Sequence, residues 1–145
     1  MRFMMSLPVP PDALEKWEAQ PSKEVVTAMR KFNEEMIKTG VLLAAAGLHA
    51  TSKGSRIRVS GGKRVVTDGP FSEAKEVIAG FWIIQARSKE EALEWAGRCP
   101  LPENGLIEIR QIFETAEFSS ELRPQSQPRG NAAAAPGSAA GQGNT

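Results

Sequence analysis

Two runs, Val41 to Leu48 and Val77 to Ile84, are each eight residues long and contain no charged or polar side chain. Eight residues is strand length and far short of the ~20 that a membrane helix needs. An antiparallel sheet in a small protein normally turns one polar face to water, so strands that are apolar on both faces require a cover on each side. Helices can supply one cover. The rest of the chain has no strands to spare for a second sheet, so the economical cover for the other side is a second copy, packed sheet to sheet.

The flanking pattern supports this. Phe3, Met5 and Leu7 alternate with Arg2, Met4 and Ser6 as in a half-buried strand that ends at Pro8, Pro10 and Pro11. Asp12, with Glu15 three residues on, is expected to cap a short helix carrying Leu14 and Trp17. After Pro21 and Ser22, the spacing of Val25, Met29, Phe32 and Met36, widened by Val26 and Ile37, predicts the main helix, which Gly40 stops. Arg56 to Ser60 and Lys63 to Thr67 flank Gly61-Gly62 and predict a two-residue hairpin that pairs Ile57 with Val66 and Val59 with Arg64. Ser88-Lys89-Glu90-Glu91 forms a capping box for a helix with Ala92, Trp95, Ala96 and Cys99 inward, ended by Pro100. Leu106 to Phe113 is expected to close the domain as a strand. The order is β-α-β, hairpin, β-α-β. It predicts an α+β domain over residues 1–118: a ferredoxin-like antiparallel sheet with its long helices on one face.

From Ser119 the composition turns to Pro, Gln, Ser, Gly, Asn and Ala, which is expected of a disordered low-complexity tail over 119–145. Residues 1–118 carry sixteen Lys plus Arg and sixteen Asp plus Glu, so the body is neutral and offers no basic stripe for nucleic acid. Arg56, Arg58, Lys63 and Arg64 read as solvated edge-strand charges. One Cys and one His leave a tetrahedral metal site unfilled, so neither metal nor cofactor is expected. The opening Met1 to Leu7 lacks a charged-then-apolar leader, and the cytoplasm is the expected location.

Two residues stand out for chemistry. Asp68 precedes Gly69-Pro70, a rigid bend at a strand exit. Hairpin parity puts it on the face of Val66, where a carboxylate would suit a general base; the alternative is that it braces the bend. His49 is the single histidine and the side chain that exchanges protons near neutral pH. Glu108 and Arg110 alternate with Ile107 and Ile109, and so share the face away from the helices, either lining a dimer cleft or pairing with each other. Cys99 falls on the apolar side of its helix and reads as core. No nucleophile elbow accompanies His49, and Gly61-Gly62 lacks the strand-to-helix setting of a phosphate loop.

The stretch Val66-Thr67-Asp68-Gly69-Pro70-Phe71-Ser72-Glu73-Ala74-Lys75-Glu76 resembles the DGPF (YCII-related) family. Gly80-Phe81-Trp82, Glu91 to Ala96 and Glu108-Ile109-Arg110 extend the resemblance over the whole body. It implies a dimeric α+β barrel and a site in which His49 and Asp68 match the family's His and Asp pair. Beside that pair, Arg110, Glu108, Phe71 and Lys75 are expected as candidate substrate contacts, Arg110 as an anion anchor. Ala46 stands where related chains commonly carry Glu, which removes a carboxylate partner for His49; Ala50 and Ala74 replace a Pro and a Thr.

Two functions are expected from this. The first is a small-molecule pocket in a homodimer cleft, possessing cofactor-free lyase, isomerase or hydrolase-like chemistry. The second is a non-catalytic module that contacts a protein such as an extracytoplasmic-function sigma factor, with which some relatives are associated.

Overall fold

The structure, a computed structural model, describes residues 1–118. The expected tail over 119–145 lies outside the described residues. The elements run β1 (Arg2–Val9), α1 (Pro11–Ala19), α2 (Lys23–Lys38), β2 (Leu42–Gly47), a 3-10 turn (Thr51–Lys53), β3 (Ser55–Ser60), β4 (Lys63–Asp68), β5 (Val77–Gln85), α3 (Lys89–Gly97), β6 (Glu108–Gln111) and a second 3-10 turn (Thr115–Glu117). Four strands form an antiparallel sheet in the order β2-β5-β1-β6, and β3 and β4 form a separate hairpin. This is the expected α+β, ferredoxin-like arrangement.

Register explains which residues face the helices. Met5 lies opposite Trp82 and Ile109, and Phe3 opposite Ile84. These side chains meet Phe32 and Met36 of α2 and Ala92, Trp95 and Ala96 of α3 in one core. Phe32 and Trp82 pack edge to face at 5.7 Å, and the Trp82 indole N–H donates to Asn33 Oδ1 at 2.8 Å, so a large ring is buried without an orphaned donor. Cys99 is core, as expected, and burial pushes its thiol up to about 11.

The opposite face is formed by Met4 and Ser6 of β1, Phe81 and Ile83 of β5, Ala44 and Ala46 of β2, and Glu108 and Arg110 of β6. Its centre is apolar and half-buried, apart from Ser6, which is buried; Glu108 and Arg110 are exposed. The two-faced apolar character of Val41 to Leu48 and Val77 to Ile84 is therefore carried by the edge strand β2 and the central strand β5.

Several local expectations need correction. Asp12 does not cap α1: the cap position is Pro10, with no side-chain cap bond, and Pro11 occupies the first turn. A proline there has no N–H to satisfy and a φ already suited to the helix, so no Asp cap is required. Asp12 instead approaches Lys16 one turn on, at 3.8 Å. β1 continues through Pro8 to Val9 because the register shifts between Ser6 and Pro8, which accommodates the missing N–H. β6 is four residues long rather than eight, and Val25, Val26 and Ile37 of the expected stripe remain exposed. Ser22 and Ser88 cap α2 and α3 through Val25 N–H and Glu91 N–H. Among the described residues no helix is long and apolar enough to cross a membrane.

Candidate functional site

One end of the sheet gathers three segments that are far apart in sequence. Past β2 the chain runs through His49 and Ala50 into the 51–53 turn, rises into the hairpin, and returns through Asp68-Gly69-Pro70-Phe71. The C-terminal part of α1 reaches the same place and delivers Glu18.

Glu18 organises the first side of the turn. Its Oε2 accepts from the backbone N–H of Ala50 at 2.7 Å, and its Oε1 lies 2.7 Å from His49 Nδ1 and also accepts from Lys53 Nζ. The Lys53 ammonium, then the Ala50 N–H and more weakly His49, hold the Glu18 carboxyl down at about 2. It is therefore ionised at neutral pH. An ionised carboxylate can only accept, so the His49 nitrogen facing it, Nδ1, is the one bearing hydrogen. In the neutral ring Nε2 is then left with a free lone pair. The Glu18 side chain is 22% exposed and that of His49 is 72% exposed, so the carboxylate is partly sheltered while the imidazole is open to solvent.

The Asp-Gly-Pro-Phe stretch binds the other side of the same turn. Gly69 N–H donates to Gly54 O at 2.8 Å, and Phe71 N–H donates to Thr51 Oγ1 at 3.2 Å. A Cβ on Gly69 would lie 1.7 Å from Thr51 O, so the approach needs glycine there. The peptide bond between Gly69 and Pro70 is cis. The Phe71 ring is buried, with the Arg56 guanidinium 3.8 Å above it and Arg56 also 3.3 Å from Glu73. A shallow cavity of about 240 Å³ opens between Pro11, Asp12 and Glu15 of α1 and Thr51, Pro70 and Ser72.

The expected site residues divide among three surroundings. Asp68 shares the face of Val66 as parity requires, and its Oδ1 accepts from Ser55 Oγ, its cross-strand partner, at 2.7 Å. It binds that hydroxyl at the foot of the hairpin rather than the N–H groups of the bend. Among the described residues no hydrogen bond joins Asp68 to His49. Glu108 and Arg110 lie on the helix-free face opposite Ser6 and Met4, and no ion pair links them. Phe71 is buried at the bend, and Lys75 is exposed in the stretch before β5. Glu18 escaped sequence reasoning. A glutamate inside a helix gives no local signal, and the available hint was negative: Ala46 leaves His49 needing a carboxylate from elsewhere. Among the described residues no group of His, Cys, Asp and Glu is arranged to hold a metal ion.

Comparison with known proteins agrees with the motif. An uncharacterised protein of Rhizobium meliloti (strain 1021) is 31% identical over 98 residues, which is 66% of this chain and 79% of that protein. The family model for the YCII-related domain matches residues 1–116, nearly everything the structure describes. With its Asp-Gly-Pro-Phe bend bonded to the turn that follows His49, and with the family model matched over residues 1–116, the chain belongs to the YCII-related family.

Proposed function

We propose that the protein binds a small polar molecule at the His49 end of the sheet, between two copies, and moves a proton to or from it through His49 Nε2. The observation that carries this reading is the 2.7 Å contact between His49 Nδ1 and an ionised, sheltered Glu18. A carboxylate on Nδ1 fixes the ring's tautomer and orientation and stabilises the imidazolium formed when Nε2 takes a proton. Lys53 and the Ala50 N–H hold that carboxylate in place, and they keep it from taking the proton itself. The chemistry that fits is cofactor-free acid and base work: abstraction from a carbon acid, or activation of water, in a lyase, isomerase or hydrolase-like reaction.

A second copy on the helix-free face would supply the enclosure that one copy lacks, since the 240 Å³ cavity beside the turn is lined by α1, Thr51, Pro70 and Ser72 rather than by His49, and is below the usual range for a ligand site. Arg110 would then anchor an anionic group, with Glu108 beside it. Asp68, Phe71 and Lys75 would border the site from the bend, Asp68 as a second acceptor.

Thermal-shift screening against small carboxylic acids, keto acids and lactones tests the reading. Compounds that raise the melting temperature of the native protein should lose that effect in His49→Gln and in Glu18→Gln. Stabilisation that persists in both variants would remove His49 from the site.

A further inference from the structure

The β3–β4 hairpin is exposed on every residue of both strands. A two-stranded ribbon with water on both sides is marginal by itself. Its two faces differ. Arg56, Arg58 and Lys63 share one face, whereas Ile57, Val59 and Val66 share the other with Arg64. On that second face Ile57 is 68%, Val59 62% and Val66 63% exposed, an aliphatic stripe left uncovered among the described residues.

The stripe is presented at a set angle. The foot of the hairpin is tied down by Ser55 to Asp68, by Gly69 N–H to Gly54 O, and by Arg56 to Phe71 and Glu73. A ribbon so anchored and patterned is an arm with an apolar palm.

We infer that the hairpin is an intersubunit arm whose Ile57, Val59 and Val66 stripe packs on the helix-free sheet face of a second copy of this chain. This rests on the dimer of the preceding reading and extends it. Three aliphatic side chains fall well short of the ~800 Å² per partner that a stable interface buries, so the stripe needs a larger apolar surface to join. The helix-free face, with Met4, Ala44, Phe81 and Ile83 at its centre, is such a surface on the same molecule. Charge fits as well. Arg64 lies on the palm and Glu108 on the rim of the helix-free face, and neither has an ion-pair partner in its own copy among the described residues. Two-fold symmetry makes the contact twice, one arm from each copy.

Sedimentation velocity over a dilution series, on the full chain and on the double variant Ile57→Ser, Val66→Ser, tests the arm. The expected result is a native dimer and at least a tenfold weaker association in the variant, with an unchanged circular dichroism spectrum. A benzophenone attached to Val59→Cys should, on irradiation, give a covalent dimer whose cross-linked peptides include Met4, Phe81 or Ile83. A native dimer that the double variant leaves equally tight, or Val59 cross-links confined to one copy, would overturn the arm while leaving the dimer standing. A native monomer would overturn both.

Discussion

Glu18 is bound by one backbone and two side-chain partners, and its low pKa has a consequence for acid stability. Its folded value of about 2 lies below the ordinary 4.5, so its contribution is complete above about 4.5 and is lost as pH falls toward 2. Glu18→Gln cannot titrate. Its stability should therefore be lower than native at neutral pH and should fall less steeply between pH 4.5 and pH 2, as read by urea unfolding at each pH. Parallel profiles would show that the Glu18 contacts contribute nothing to folding. Gly69 presents the opposite case, a residue whose value is the absence of a side chain. Gly69→Ala places a methyl 1.7 Å from Thr51 O and should destabilise by about 3 kcal/mol or more, because backbone must move on both sides of the contact. The aspartate beside it should matter less. Asp68 is exposed and bonded to a hydroxyl, so Asp68→Ala and Ser55→Ala should each cost about 0.5–1.5 kcal/mol, and the double variant little more than either single one.

At the scale of elements, the parts legible in the sequence were those with local causes. Gly61 and Gly62 have φ of 55° and 75°, the positive values that a tight hairpin turn demands, and the pairing of Ile57 with Val66 and Val59 with Arg64 follows from them. Ser88 and Glu91 likewise announce the start of α3 from four consecutive residues. The parts that were not legible depend on distant partners. α1 begins at Pro11 because proline geometry suffices, which makes the Asp12 and Glu15 spacing a false cap signal. β6 ends at Gln111, with one further bond to β1 from Ile112 N–H to Arg2 O at 2.9 Å, and beyond it Glu114 binds the Arg2 side chain through two hydrogen bonds of 2.9 and 3.2 Å. The pairing of Glu18 with His49 spans 31 residues and two elements, and no periodicity encodes it.

Across the whole molecule, the apolar pattern of Val41 to Leu48 and Val77 to Ile84 calls for two covers: α2 and α3 supply one, and the proposed second copy would supply the other. On this view Phe81→Glu, which places a charge on the helix-free face and leaves the helix-side core untouched, should yield a folded monomer, with association weakened at least tenfold, about 1.4 kcal/mol, by light scattering. A Phe81→Glu protein as dimeric as the native one would mean that this face is not the interface. The proposed proton transfer depends on one imidazole, which Glu18 of α1 holds beside the turn that the Asp-Gly-Pro-Phe bend braces. Nitrogen NMR of the His49 ring, at a pH where the ring is neutral, reads the tautomer that this arrangement imposes. Hydrogen on Nδ1 with a bare Nε2 is expected in the native protein, with loss of that preference in Glu18→Gln. Hydrogen on Nε2, or the same tautomer in both proteins, would contradict it.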